Sequence, residues 1–274
     1  MSTTKIGFIG AGNMANSLIR GLLARGARAD SIWATDVDSD KLQQLAAELG
    51  INTAPAAELV AHVEVLVLAV KPQVMRTVCE QLAADVQARR PLVVSIAAGI
   101  TLSHLQWWLG ADIAIVRCMP NTPALVSKGA SGLFANANVS QAGRQLAADL
   151  MSSVGLAVWL NKESDIDAVT ALSGSGPAYF FLFMEAMQAA AVEMGLSAEL
   201  ARALTYQTAA GAAELAQHSQ EDTAQLRRNV TSPGGTTERA IAEFEAGALR
   251  SLVQRALLAA QLRSTELAAQ FGNQ

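Results

Sequence analysis

Gly10, Gly12 and Ala15 stand in G-x-G-x-x-A spacing between the short apolar run Lys5–Ile9 and the amphipathic stretch Asn13–Arg25, where Met14, Leu18 and Leu22 recur at helical intervals. That order of strand, glycine turn and helix suits an anion. The first glycine permits a tight turn, the second lets a pyrophosphate approach the backbone, and the alanine lets helix and strand pack closely. The helix N-terminus then presents unpaired N–H groups and a positive partial charge. Ile9, Gly10, Ala11, Gly12, Asn13 and Met14 are therefore the candidate dinucleotide cradle. Thr35 and Asp36 close the next strand candidate, Ser31–Ala34, about 20 residues on, where the dinucleotide fingerprint asks for an acidic residue. A carboxylate there accepts from ribose hydroxyls and repels a 2′-phosphate, which favours NADH. Thr35 can instead donate to a phosphate, with Arg25 and Lys41 as cations in range, so NADPH stays open. As a helix cap or a solvated loop residue, Asp36 would say nothing about the cofactor.

Two later turns belong to the same surface. Ala69, Val70, Lys71 and Pro72 end the buried strand candidate Glu64–Val70, and Ala97 and Ala98 end Leu92–Ala97. Ligands of open parallel sheets sit beyond the carboxyl ends of the strands, so both turns should line the cleft. Lys71 reads as a phosphate or ribose contact, or equally as a solvated loop lysine. Helices are expected at Ser39–Leu49, at Gln73–Val86 behind Pro72, and at Gln141–Ser153, with further strands at Ala114–Cys118 and Gly155–Leu160. Such alternation implies an α/β Rossmann domain, a mostly parallel, doubly wound sheet. From Ser164 onward no strand is expected. Ala178–Met194, Ala198–Gln217 and Ala248–Gln270 read as long alanine-rich helices, with a stop at Gly195 and a new cap at Ser197. The expected domains are 1–163 and 164–274, the second all-helical.

The 274 residues are 51% hydrophobic but only 5% aromatic, and 20 Lys and Arg against 24 Asp and Glu leave a net charge of −4. That balance offers no basic footprint for nucleic acid or an anionic membrane. No apolar run is long enough to span a bilayer, and glycines interrupt the first one, so no signal peptide is read. Cys79 and Cys118 suit reduced, buried thiols, and a cytoplasmic protein is expected. His62, His104 and His218 fit no metal spacing, so no metal is expected.

Five segments in order carry a resemblance. They are Gly10-Ala-Gly-Asn-Met-Ala15, Ala69-Val-Lys-Pro72, Arg117-Cys-Met-Pro-Asn-Thr-Pro123, Ala171-Leu-Ser-Gly-Ser-Gly-Pro-Ala178 and Leu226-Arg-Arg-Asn-Val-Thr-Ser-Pro-Gly-Gly-Thr-Thr237. Together they resemble the Δ1-pyrroline-5-carboxylate reductases over essentially the whole chain, the last segment most specifically. The resemblance implies hydride transfer from NADPH or NADH to the C=N carbon of pyrroline-5-carboxylate, giving proline. It also implies a helical dimerisation domain, with active sites drawing on both subunits, and a homodimer or a larger assembly of dimers. The family's habit favours NADPH where Asp36 favours NADH.

That job gives Ser232, Gly234, Gly235, Thr236 and Thr237 a role, because the substrate carboxylate needs donors. The segment offers hydroxyls, clustered N–H groups and glycines free to adopt positive φ. Thr236 or Thr237 reads equally as a plain cap for a following helix. The resemblance places the Thr237 hydroxyl near the imine nitrogen, where it orients the ring or relays a proton, in a site that works mainly by positioning. Asn121 reads as a nicotinamide or ribose contact, or as part of a rigid two-proline loop. Two other functions compete. One is another NAD(P)H-dependent imine or β-hydroxyacid oxidoreductase, against which stands the lack of any lysine beyond Lys162. The other is a non-catalytic NAD(P) sensor, against which stands the intact Ser-Pro-Gly-Gly-Thr-Thr segment.

Overall fold

The computed structural model describes residues 3–272. The chain runs β1 (Ile6–Ile9), α1 (Asn13–Ala24), β2 (Ile32–Thr35), α2 (Ser39–Leu49), β3 (Asn52–Thr53), α3 (Ala56–His62), β4 (Val65–Leu68), α4 (Pro72–Arg89), β5 (Leu92–Ser95), α5 (Leu102–Leu109) and β6 (Ile115–Met119). It continues through β7 (Gly129–Ala135), α6 (Gln141–Ser152), β8 (Gly155–Trp159) and α7 (Asp165–Val169). Five more helices follow: α8 (Gly176–Glu193), α9 (Ala198–His218), α10 (Thr223–Asn229), α11 (Thr236–Ala246) and α12 (Leu249–Gly272). All strands lie in one sheet of order β3-β2-β1-β4-β5-β6-β7-β8. Every pairing is parallel except β6 with β7.

Alternate residues of the central strands feed two apolar layers. Phe8, Val65, Val67 and Val94 join α1 and α6 on one face. Ile9, Leu66, Leu68 and Val93 join α3, α4 and α5 on the other. A sheet covered on both faces explains why the central strands read as continuous apolar runs. Sequence spacing missed β7, which runs antiparallel beside β6 and carries β8 on its far side.

The chain forms two compact units, one of Met1–Ser175 with Ala259–Gln274, the other of Gly176–Leu258. This division differs from the 163/164 boundary expected from sequence. Residues 164–175 stay with the sheet because α7 buries Ile166 and anchors the end of the chain. The Asp167 carboxylate there accepts from the Ser264 hydroxyl at 2.6 Å and the Thr265 hydroxyl at 3.3 Å. In the second unit α8 packs on α9, and Phe183 of α8 meets Phe244 of α11 with ring centroids 6.0 Å apart.

Candidate active site

The order of strands reverses between β1 and its two neighbours β2 and β4, which is where an open parallel sheet leaves a crevice. Register puts Ile9 opposite both Thr35 and Leu68, and Leu68 opposite Ser95. The turns Gly10–Met14, Thr35–Asp36, Ala69–Pro72 and Ala97–Ala98 therefore leave the sheet at one edge. Gly10 has φ +98°, and a Cβ on it would stand 2.8 Å from the Ala69 carbonyl oxygen, so only glycine fits between the two turns. A Cβ on Gly12 would meet nothing within 4 Å. Gly12 caps α1 with no side chain, and no acidic residue lies in the first turn. The leading N–H groups of α1 thus face open space, which fits a bound pyrophosphate.

Asp36 is tied to that turn. Its Oδ2 accepts from the Ala11 N–H at 2.6 Å, its Oδ1 from the Asp38 N–H at 3.0 Å, and the Gly10 N–H donates to the Thr35 carbonyl at 2.8 Å. The carboxylate is held at the lip of the cradle with spare lone pairs for further donors. Capping of α2 falls to Asp38, whose carboxylate accepts from the Lys41 N–H, so Asp36 is not the cap. Lys71 is the exposed residue before Pro72 at the start of α4, and its ammonium has no partner among the described residues.

The start of α5 is tied to β6 by Glu163, a residue outside the motifs. Glu163 Oε1 accepts from the Leu102 N–H at 2.7 Å and from Arg117 Nη1 at 3.0 Å, joining β6 to the first turn of α5. Thr101 and His104 complete a reciprocal cap there. Arg117 is only 3% exposed, and its Nε has no partner among the described residues. Burial, and then the Arg117 charge, push His104 below its ordinary pKa. The available signal was an arginine inside an apolar strand, since a buried charge needs a partner. Asn121 bridges two segments of the fold. Its amide donates to the Ser173 carbonyl at 3.0 Å and its carbonyl accepts from the Ala130 N–H at 2.8 Å, which favours the structural reading of that residue.

The second unit carries the Ser232–Thr237 loop. Gly234 has φ +73°. Its N–H donates to Glu238 Oε2 at 2.7 Å, and the Gly235 N–H donates to the Ser232 carbonyl at 3.0 Å. Gly235 is the N-cap of α11 and no side chain caps that helix, so neither threonine is a capping residue. The N–H groups of Thr236 and Thr237, and the hydroxyls of Ser232, Thr236 and Thr237, have no partners among the described residues. An eleven-residue helix thus opens with free donors and its positive end toward solvent. Arg227 and Arg228 close α10. Glu245 lies 3.9 Å from Arg227 and 2.7 Å from Arg250, and the Arg250 hydrogen bond is the main cause holding its carboxyl below the usual range.

With this geometry in place, the comparisons with known proteins align closely. A family model described as pyrroline-5-carboxylate reductase dimerisation matches residues 163–267, and one described as NADP oxidoreductase, coenzyme F420-dependent, matches residues 5–99. A pyrroline-5-carboxylate reductase of Pseudomonas aeruginosa is 54% identical over 273 residues, covering 99% of this chain and 100% of that protein. A solved pyrroline-5-carboxylate reductase from Coxiella burnetii superposes with a TM-score of 0.93 at 45% identity, covering 97% of this chain and 99% of the other. The Plasmodium falciparum pyrroline carboxylate reductase, solved with NADP bound, gives a TM-score of 0.85 at 30% identity over 98% of this chain and 99% of that one.

Proposed function

The chain belongs to the pyrroline-5-carboxylate reductase family and reduces the C=N bond of 1-pyrroline-5-carboxylate to give proline, and on that premise we propose how its own residues divide the work. The first unit holds the dinucleotide and the second holds the substrate. The observation that supports this best is the pairing, in one chain, of an open α1 N-terminus behind Gly12 with an open α11 N-terminus behind Gly235.

Gly10, Ala11, Gly12, Asn13 and Met14 take the pyrophosphate. Ile9, Thr35, Asp36, Ala69, Val70, Lys71, Pro72, Ala97 and Ala98 border the rest of the dinucleotide. A bound reduced nicotinamide supplies the hydride. The substrate carboxylate accepts from the Thr236 and Thr237 N–H groups and the Ser232 hydroxyl, helped by the positive end of α11. Gly234 and Gly235 shape the loop. The Thr237 hydroxyl orients the ring nitrogen. A cyclic imine protonates readily in solution, and the resulting positive charge makes its carbon electrophilic, so no strong acid on the protein is needed. Catalysis then rests on holding the reactants in line.

Asp36 makes NADH the preferred cofactor. Its carboxylate, held at the cradle by the Ala11 N–H, can accept from an adenosine ribose, Asp38 and Asp40 follow it, and a 2′-phosphate would meet negative charge. The working form is a homodimer, because the helices of the second unit expose apolar side chains such as Phe180, Phe181 and Leu182 that a second copy would cover. No described helix is long and apolar enough to cross a membrane. The cytoplasm, where nicotinamide cofactors and proline synthesis coincide, is the place of action. The test is loss of NADH and NADPH absorbance on adding pyrroline-5-carboxylate, with proline measured as product. Faster oxidation of NADH is expected, and Asp36→Ser should shift the ratio toward NADPH. Faster NADPH oxidation by the unaltered chain would remove Asp36 as the selector. No oxidation of either cofactor, in a folded sample that binds them, would overturn the substrate.

A further inference from the structure

Glu238 is the third residue of α11, after Thr236 and Thr237, and its carboxylate turns back to accept the Gly234 N–H at 2.7 Å. This is not a capping box: the carboxylate reaches past the N-cap, Gly235, which has no side chain, to the residue before it. The contact falls on a left-handed residue, Gly234 at φ +73°, and the next amide, that of Gly235, closes on the Ser232 carbonyl at 3.0 Å. Two of the loop's amides are therefore consumed internally, one of them by a side-chain carboxylate. The donors that remain are those of Thr236 and Thr237, which follow directly on the bend that Glu238 holds.

We propose that Glu238 is a positioning residue for the substrate loop, fixing the bend at Gly234 so that the Thr236 and Thr237 donors converge on the substrate carboxylate, while its own charge restrains how tightly that anion is held. The proposal rests on the reductase reading above and deepens it. Two effects of opposite sign reside in one side chain. The hydrogen bond preorganises the loop before substrate arrives, which lowers the entropy lost on binding. The charge sits beside a second carboxylate and opposes it, with solvent screening part of the repulsion. Alanine removes both effects. Glutamine removes only the charge, since its Oε1 can accept the same N–H.

The experiment is steady-state kinetics of the full chain, unaltered and as Glu238→Ala and Glu238→Gln, with melting temperature recorded for each. Glu238→Ala should raise KM for pyrroline-5-carboxylate about tenfold, the expected cost of losing one charge-assisted hydrogen bond. Its KM for the cofactor should stay within about twofold, because no cofactor contact is assigned to this bend. Glu238→Gln should restore the substrate KM to the unaltered value or below it. A plain capping role would lower the melting temperature without sorting alanine from glutamine by substrate KM. An unchanged substrate KM in Glu238→Ala would overturn the proposal, and so would a glutamine variant as impaired as the alanine one. The unaltered chain is measured first, so failure of the reductase reading would be seen as absence of turnover before any variant is compared.

Discussion

The two units of this chain treat apolar residues in opposite ways. In the first, Phe8, Leu18, Ile19, Leu66, Leu68, Met75 and Leu105 are all sealed between sheet and helices. In the second, α10 and α11 bury no residue at all, and Phe180, Phe181 and Leu182 of α8 stand 66%, 63% and 67% exposed. Helix α8 is apolar around its circumference, so packing one side on α9 leaves the others facing outward. The sheet unit seals its core within one copy, with Trp107, Leu125, Val126, Leu156 and Leu172 left exposed at its surface. The helical unit leaves much of its apolar surface open, including a cavity of about 330 Å³ lined by Phe181, Met184, Glu185, Gln188 and Tyr206. The same sequence thus seals its apolar residues in one part and leaves them open in the other, the face to which the proposed dimer is assigned.

Phe181→Asp should be the most damaging single change, dissolving the dimer and lowering the melting temperature together, as seen by sedimentation equilibrium and a thermal melt. A dimer of unchanged stability would show that a second copy does not cover this face. Leu66→Ala should cost about 2–5 kcal/mol through a cavity in the sheet unit. Its denaturant midpoint should fall while the assembly state at a given concentration holds, and dissociation by this variant would break the contrast between the units. Glu163→Ala should cost on the order of 2–3 kcal/mol, because it leaves the buried Arg117 guanidinium unpaired, with some relief from the 29% exposure of the Glu163 side chain. Equilibrium unfolding reads that loss, and Glu163→Ala at full stability would show that the pair does not hold β6 to the start of α5. The smallest effect concerns the thiols. Burial pushes Cys79 up to about 12 and Cys118 higher still, so the thiolate that reacts is scarce in both. Neither should react with a thiol reagent in the folded protein, and prompt labelling would show that the sheet unit opens.

Much of the sheet unit was legible because its periodicity is local. Asn13–Arg25 and Ser39–Leu49 carry apolar residues at helical spacing, and the helices form within one residue of those bounds. Strand β7 was not legible because Gly129 and Gly132, poor strand formers, are there for close packing: a Cβ would stand 3.0 Å from the Val154 carbonyl at the first and 3.0 Å from Val169 at the second. The links from Asp36 to Ala11 and from Glu163 to Arg117 join residues 25 and 46 apart in sequence, and only the strand register brings them together. Glu238 had a readable signal, a glutamate three residues after the cap, but with glycine as the cap half of that signature was silent. The carboxamide of Asn121 could not be read from type alone, since an asparagine in a rigid loop serves a ligand or its own backbone with the same atoms.

The division of labour itself, cofactor on the first unit and substrate on the second, is tested most directly by Thr237→Ala, with NADH affinity read by fluorescence and turnover by NADH oxidation in the same sample. The account predicts unchanged NADH binding and a kcat/KM for pyrroline-5-carboxylate reduced by about a hundredfold, the scale of a lost proton-handling or orienting group. Full turnover in that variant would contradict it, as would loss of NADH binding.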